Sequence, residues 1–164
     1  MGTIIRPYHD GEEEYVADLH RRLYSEEYGW GPEFINYAVE IPLSFAKKEK
    51  NAREELFIAE KDGQPAGCIM LCGTDDPNVG QLRIYAVEKE CRRQGIGAAL
   101  IREAMDKARA AGYTRLILWT ADAVKDAVRK YEKLGFRATE WKANDTWTAD
   151  GSVVNEIKME LDLD

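Results

Sequence analysis

Near its middle, the chain passes from a β-strand pattern through a short polar loop into a long helix. Leu82, Ile84 and Ala86 alternate with more polar residues, so we expect them to share one face of a strand that ends at Val87. An apolar stripe at helical spacing then occupies residues 96 to about 110. A helix that crosses over between two strands joins parallel neighbours, which limits the chain to folds that combine helices with a sheet.

The remaining periodic segments complete an element order of β-α-α-β-β-β-α-β-α-β-β, an α/β (α+β) fold with a mixed sheet. We expect Asp10 to cap the first helix and Pro42 to bend or end the second, which begins near Pro32. The other strands are expected at Thr3–Tyr8, Leu56–Glu60, Ala66–Cys72, Arg115–Thr120, Arg137–Trp147 and Ser152–Leu163.

The composition limits the class of protein. The chain has 164 residues, a length typical of one domain, so we expect a single domain over residues 1–164. Its formal net charge of -7 disfavours nucleic acid and anionic membrane surfaces as partners. No apolar run reaches the roughly 18 residues of a membrane helix, and no export signal is expected at the N-terminus. Three cysteines and two histidines without metal-ligand spacing predict a cytoplasmic protein that holds no metal.

A hexapeptide before the central helix carries the main chemical signal. It reads Arg92-Arg93-Gln94-Gly95-Ile96-Gly97, and Ala98 follows within the first helical turn. Glycines two residues apart let a ligand approach the backbone, free N–H groups at a helix start attract anions, and the arginines add charged donors. The segment therefore predicts a diphosphate cradle, to which a tight loop with solvated arginines is the simpler alternative.

Two known diphosphate motifs fit this segment less well. A nucleotide P-loop needs Lys followed by Ser or Thr after its last glycine, and Gly97 is followed by two alanines. The dinucleotide fingerprint matches only at its first two glycines, because Leu100 takes the third place, although Asp122 could serve as the ribose-binding acid. A nicotinamide-dependent oxidoreductase therefore stays a distant alternative.

The pattern R-x-x-G-x-G/A resembles the pyrophosphate loop of the GNAT superfamily, the acetyl-CoA-dependent N-acetyltransferases. A second block resembles that family's A-x-x-x-Y-E-K-x-G-F signature and reads Ala127-Val128-Arg129-Lys130-Tyr131-Glu132-Lys133-Leu134-Gly135-Phe136. The stretches 23–30, 82–83 and 118–120 are similar to the acetyltransferase half of bacterial MarR-GNAT fusion proteins, of which this chain would be a stand-alone version. The resemblance implies a mixed, mostly antiparallel central sheet with helices on both faces.

The resemblance also implies how acetyl-CoA binds and reacts. The pantetheine arm would pair with the strand backbone at Tyr85, Ala86 and Val87, and the pyrophosphate would lie on residues 92–98. A backbone N–H near Val87 would polarise the thioester carbonyl, and Tyr131 would protonate the leaving thiolate. The helical spacing of apolar residues, taken alone, predicts that Tyr131 is a core residue of its helix with its hydroxyl at the rim of the core.

The chain departs from the family pattern at two positions. Val124 stands where many relatives have an asparagine that binds the pantetheine, and Gln81 stands where many have a glutamate. Since Gln81 cannot act as a base, that role is open between Glu26, Glu27, His20 and a chain of water molecules.

The expected acceptor is a primary amine of a small molecule. The family's first two helices form the substrate wall, to which we assign Glu26, Glu27, Tyr28 and Trp30. The aromatic residues there, with Tyr24 and Phe34, suit a cationic or amphipathic amine. Exposed strand edges at the C-terminus could pair two copies in a homodimer. The competing hypothesis is a non-catalytic acyl-CoA sensor or interaction module on the same fold.

Overall fold

The computed structural model describes residues 2–49 and 51–163. Its helices and strands follow the predicted order, so the predicted fold class is confirmed. The bounds are β1 Thr3–Pro7, α1 Glu13–Arg22, α2 Pro32–Lys47, β2 Glu55–Lys61, β3 Gln64–Gly73, β4 Val79–Val87, α3 Ile96–Ala110, β5 Arg115–Ala121, α4 Lys125–Lys133, β6 Arg137–Asn144 and β7 Val154–Asp162. Helix α1 continues through a π-helical turn at Leu23–Glu27, and a 3-10 turn at Lys89–Cys91 precedes α3. Among the described residues, no helix is both long and apolar enough to cross a bilayer.

The strands of the described residues form one seven-stranded sheet in the order β1-β2-β3-β4-β5-β7-β6. Only β4 and β5 run parallel, and every other neighbouring pair is antiparallel. The parallel pair follows from the crossover through α3, because a helical connection returns the chain to the same end of the sheet. The sheet is therefore mixed and mostly antiparallel.

Helices cover both faces of the sheet. On one face, Leu100 of α3 and Tyr131 of α4 belong to the same buried cluster as Leu118 of β5. On the other face, Leu19 of α1 packs with Ile58 of β2 in a second buried cluster, against which the inner side of α2 also packs. Burial of these apolar side chains on both faces is the main contribution to folding.

The first helix does not begin where the sequence suggests. Asp10 does not cap α1, so this prediction is wrong, and Glu12 occupies the N-cap position without a side-chain capping bond. Gly11 has a φ of 97°, which a right-handed helix cannot include, and this residue separates Asp10 from the helix. The Glu12 carboxylate binds Arg6 and the backbone N–H of His9 instead.

The second helix does not end at its internal proline. Pro42 lies inside α2, which continues to Lys47. Pro42 is itself buried, and Phe45 beyond it packs against the cluster under α1. This tertiary packing compensates for the backbone hydrogen bond that a proline cannot donate.

A β-bulge in β4 places residues that were predicted to share one face of the strand on opposite sides of the sheet. Between Arg83 and Ala86, β4 has one residue more than the segment of β3 that opposes it, and Ile84 has a φ of 47°. Leu82 consequently packs on the side of α3, whereas Ile84 and Ala86 pack on the side of α1. The prediction that these three residues share one face is wrong for Leu82, because the extra residue reverses the alternation.

Candidate functional site

The strands β4 and β5 separate near the bulge, and a cleft opens between them. Their parallel pairing runs from Val79 opposite Arg115 to Leu82 opposite Leu118, where it stops within the described residues. Beyond that point, the ends of the two strands line a cleft of about 960 Å³. Because a bulge bends its strand, the turn at Ile84 directs β4 away from β5. Backbone groups along this edge of β4 are open to a ligand that takes the place of a strand.

The cleft brings together most of the cofactor residues predicted from the sequence. Those that line it are Tyr85, Ala86, Val87, Arg92, Arg93, Gly95 and Gly97. Gln94, Ile96 and Ala98 do not line it. The Gln94 side chain is exposed and bonds Lys61, and Ile96 is buried in the core under α3.

The start of α3 has the geometry of an anion cradle. Gly95 is its N-cap residue in the left-handed conformation, with φ 81°, which glycine adopts without strain. The first turn of α3 carries no acidic side chain, so its free N–H groups face no carboxylate from their own turn. At Gly97 a Cβ would collide with the Tyr85 hydroxyl and would lie 3.1 Å from Cε of Lys130. The absence of a side chain there thus keeps Tyr85 and Lys130 beside the helix start.

Arg92, at the entrance to this cradle, is held by a carboxylate from the distant π-helical turn. Its two terminal nitrogens donate to the two carboxylate oxygens of Glu27, at 2.6 and 2.7 Å. The hydrogen bonds from Arg92 lower the pKa of Glu27, which is therefore ionised at neutral pH. Neither Glu26, which is exposed, nor Glu27 lines the cleft, whereas their neighbours Tyr28 and Trp30 do.

Tyr131 lies in the wall of the cleft with a largely buried ring. It is 5% exposed, and its ring packs edge-on against Tyr85 at 5.8 Å and Phe136 at 5.7 Å between centroids. Burial, followed by the proximity of Tyr85 and Tyr24, raises the pKa of Tyr131 well above its ordinary value of 10.0. The phenol is therefore protonated at neutral pH and can donate a proton or a hydrogen bond into the cleft.

Aromatic rings from the end of α1, from α2, from the segment that joins them and from the β6–β7 connection line another part of the cleft. Tyr24 is central: its ring centroid lies 5.1 Å from that of Trp30 and 4.8 Å from that of Phe34. Trp147 lies 5.5 Å from Trp30 and 4.7 Å from Phe34. We call this group, together with Tyr28, the aromatic cluster.

Trp147 is a site residue that the sequence does not reveal. The sequence pattern predicts a strand that extends to Trp147, but β6 ends at Asn144, whose side-chain oxygen accepts the backbone N–H groups of Thr146 and Trp147. The backbone oxygen of Trp147 accepts the N–H of Gly31 at 2.6 Å, which anchors the indole beside α2. The Asn144-Asp145 pair is a turn signal that could have ended the predicted strand there.

His20 reaches the same cleft from α1. It is 2% exposed, its Nδ1 lies 2.8 Å from the backbone oxygen of Val16, and its ring stacks on Tyr24 at 5.8 Å. Because a carbonyl only accepts, Nδ1 carries the hydrogen, and the lone pair of Nε2 has no hydrogen-bond partner within residues 2–49 and 51–163. Burial lowers the pKa of His20 to about 4, so the ring is neutral at pH 7.

The two departures from the family pattern also lie in the cleft. Gln81 lines it from β4, and Val124 lines it as the N-cap residue of α4. Arg83 lies beside Gln81 on the strand and donates to the hydroxyl of Tyr37 at 3.1 Å. Within residues 2–49 and 51–163, no group of three or more His, Cys, Asp or Glu side chains could hold a metal ion.

Comparison with known proteins agrees with this geometry. Residues 13–136 match the model of the Acetyltransferase (GNAT) family. N-acetyltransferase 8 of Rattus norvegicus is 35% identical over 107 residues, which are 62% of this chain and 48% of the rat protein. The chain thus spans about half the length of that curated relative.

Two solved structures illustrate the shared fold. A GCN5-related N-acetyltransferase from Kribbella flavida superposes with a TM-score of 0.81 at 18% identity, covering 99% of this chain and 98% of the other. The protein yncA from Salmonella typhimurium, solved with its cofactor acetyl-CoA, superposes with a TM-score of 0.75 at 15% identity, and the match covers 100% of this chain and 95% of the other. At these identities the likeness concerns the fold alone.

Proposed function

The chain belongs to the acetyltransferase (GNAT) family, and from this premise we propose that it is an acetyl-CoA-dependent N-acetyltransferase. It would transfer the acetyl group directly to a primary amine of a small molecule. The observation that carries the proposal is the separation of β4 from β5 beyond Leu82 and Leu118, with the start of α3 on one side and Tyr131 in the wall. A strand edge, an anion cradle and a protonated phenol converge there.

The residues present fit the cofactor. The open β4 edge at Tyr85, Ala86 and Val87 can pair with an extended amide-containing arm, and residues 92–98 can hold a pyrophosphate by N–H groups and arginines. A Cβ at position 97 would close part of this space, which supports the same assignment. Bound acetyl-CoA would supply a thioester carbonyl as the electrophile.

The protein's own groups have separate tasks in the transfer. A backbone N–H of β4 at Val87 or a neighbouring residue would donate to the thioester oxygen as negative charge develops there. Tyr131 would give its phenolic proton to the leaving thiolate, because its raised pKa keeps it protonated at neutral pH. The amine would attack in its neutral form, and both carboxylates suggested from the sequence, Glu26 and Glu27, lie outside the cleft.

The aromatic cluster supports a small amine as acceptor. Rings of Tyr24, Trp30 and Trp147 line this end of the cleft, and their π faces would attract a cationic or amphipathic group. We expect small aromatic amines and polyamines, whose apolar parts can contact these rings, to be better acceptors than lysine-rich protein tails.

The proposal also covers the protein's compartment and its assembly. The chain's three cysteines are free and two of them are buried in β3, which favours a reducing compartment such as the cytoplasm. Strand β6 lies at one edge of the described sheet and exposes 62% of Trp141, so a homodimer formed along this edge is the expected assembly.

Thermal unfolding with acetyl-CoA, CoA or NAD(H), each added alone, tests the cofactor. A ligand at about 100 times its dissociation constant adds roughly 2.7 kcal/mol, a shift of about 5–10 °C for a chain of this length. Stabilisation by both CoA species and not by NAD(H) would support the cradle. Without a shift from either CoA species, residues 92–98 would be a tight loop and the proposal would fail.

Release of free thiol from acetyl-CoA across a panel of amines tests catalysis. The panel contains 2-phenylethylamine, tryptamine, spermidine, free amino acids and a lysine-rich peptide. Thiol release that depends on a small amine supports the transferase. Binding of acetyl-CoA without thiol release from any acceptor would instead support the sensor hypothesis.

A further inference from the structure

The acceptor end of the cleft contains a buried polar atom that the mechanism above does not use. We propose that Nε2 of His20 accepts the proton of the attacking amine. This inference rests on the proposed acetyl transfer and fills the role of base, which the proposed function leaves unassigned.

The hydrogen bonding of His20 leaves one nitrogen available. Nδ1 donates to the oxygen of Val16, one helical turn earlier, and this bond fixes both the tautomer and the ring orientation. Nε2 is buried and has no hydrogen-bond partner among the described residues, although the ring lines the cleft. An unpaired buried nitrogen is unfavourable for folding, whereas a leucine or phenylalanine at this place would pack without that penalty. A ligand that donates an N–H would complete the arrangement.

The position of α1 places His20 on the correct side of the sheet. Its neighbours Val16 and Leu19 pack in the same cluster as Ala86, one of the residues at the open edge of β4. His20 also stacks on Tyr24, the central ring of the aromatic cluster that we assign to the acceptor. The free nitrogen therefore belongs to the aromatic end of the cleft, on the face of the sheet that α1 covers, whereas α3 covers the other face.

The carboxylates near the cleft are less suited to this role. Glu27 is bound by Arg92, and Asp126 pairs with Arg129 on α4, on the cofactor side. Glu140 and Glu156 line the cleft from β6 and β7, but these strands lie beyond β5, away from the open edge of β4. Glu156 also holds the side-chain amide of Asn144.

The step balances with groups that are present. The nitrogen lone pair of the amine forms the C–N bond, the C–S bond breaks, and one N–H proton moves to Nε2 while Tyr131 gives its proton to the thiolate sulfur. The imidazolium then loses its proton to solvent, and the phenolate regains one. A neutral imidazole is a weak base, but a nitrogen that has bonded to the carbonyl carbon is a much stronger acid than a free ammonium.

Two substitutions of His20 test the proposal in kinetics. H20F keeps a ring on Tyr24 and removes the base, and H20Q keeps a hydrogen-bond acceptor that cannot hold the proton. We expect kcat/KM for the best amine of the panel to fall by about 10²–10⁴ in both, the usual contribution of a general base, with an unchanged dissociation constant for acetyl-CoA. H9Q is the matched control, because His9 is exposed and remote from the cleft.

A kcat/KM within threefold of the wild-type value in either His20 variant, with normal acetyl-CoA binding, would overturn the assignment. If wild type releases no thiol with any amine, the proposed function itself fails and the inference falls with it. A normal thermal shift with acetyl-CoA in H20F separates loss of the base from loss of the fold.

A spectroscopic measurement on the unmodified protein covers the case in which both variants fail to fold. The chain has two histidines, so ¹⁵N-histidine labelling gives two residues to assign, and the exposed ring of His9 serves as reference. We expect an unprotonated Nε2 on His20 in the complex with CoA, which cannot react, and a shift of that resonance when the best amine is added. A protonated Nε2 in the free protein, or no response to the amine, would refute the proposal.

Discussion

Exchange of Glu27 for glutamine should strengthen acetyl-CoA binding. In the free protein, both terminal nitrogens of Arg92 donate hydrogen bonds to Glu27. Arg92 must release this carboxylate before the same nitrogens can bind a pyrophosphate. The ion pair therefore competes with the cofactor, and E27Q removes the competing charge. The same change should slightly lower the melting temperature of the free protein, because it removes the pair.

The structure sets the size of the effect. The two side chains retain 30% and 24% of their accessible surface, so solvent screens the pair and its contribution is that of a surface salt bridge, about 0–1 kcal/mol. Bidentate geometry places it near the upper end of this range. At 1.4 kcal/mol per tenfold, the expected gain in acetyl-CoA affinity is about three- to fivefold. The gain should shrink as the ionic strength rises.

Isothermal titration of wild type, E27Q and E26Q with acetyl-CoA measures this gain. E26Q is the matched control: it makes the same change of net charge one residue away, on an exposed side chain that does not contact Arg92. We expect E26Q to bind like wild type. An E27Q dissociation constant equal to or above that of wild type would show that Arg92 does not leave Glu27 for the cofactor.

Three other variants and conditions have defined outcomes. Y131F keeps the packed ring and removes the hydroxyl, so kcat at saturating acetyl-CoA should fall by about 10²–10⁴; unchanged turnover would exclude Tyr131 as the acid. G97A should raise the acetyl-CoA dissociation constant about tenfold in calorimetry, because its Cβ displaces the Tyr85 hydroxyl from the start of α3. The protein should lose little stability, since alanine has a better helix propensity than glycine by about 1 kcal/mol. The pKa of His20 falls from 6.5 to about 4 on folding, so the unfolded chain binds more protons than the folded one between these pH values. The free energy of unfolding should therefore decrease by up to about 3 kcal/mol as the pH drops from 6.5 to 4. Urea unfolding should show a shallower dependence for H20F, and parallel pH curves for the two proteins would contradict the burial of a neutral ring.

The elements that could be predicted are those whose signals are local. Helix α3 begins and ends at Ile96 and Ala110 as expected, because a left-handed glycine precedes it and an apolar stripe runs through it. The bulge at Ile84 has no such signal: Leu82, Ile84 and Ala86 alternate as a regular strand would. Only the pairing with β3 reveals the extra residue.

The parts of the site that sequence reasoning could not supply depend on contacts between distant segments. Glu27 and Arg92 are 65 positions apart, so nothing local indicates that one binds the other. Trp147 joins Trp30 across a turn that follows an edge strand, and its place in the aromatic cluster depends on how that strand ends. The glycines and arginines of the cradle, by contrast, are contiguous and could be identified before any fold was known.

Residue type alone does not decide between Glu26, Glu27, His20 and a chain of water molecules as the base, because each side chain's hydrogen bonds determine whether it can accept a proton. In a chain with 32% charged residues, carboxylates readily find partners: Glu27 binds Arg92, and Glu88 binds Arg22 and also accepts a hydrogen bond from the Tyr15 hydroxyl. Such pairing lowers the pKa of a carboxylate and makes it a weaker proton acceptor. His20 differs because its hydrogen bond to a backbone carbonyl uses the donor nitrogen, and the acceptor nitrogen has no partner in the part of the chain that the structure describes. The group best placed to accept a proton is therefore the one that the surrounding charges have not already satisfied.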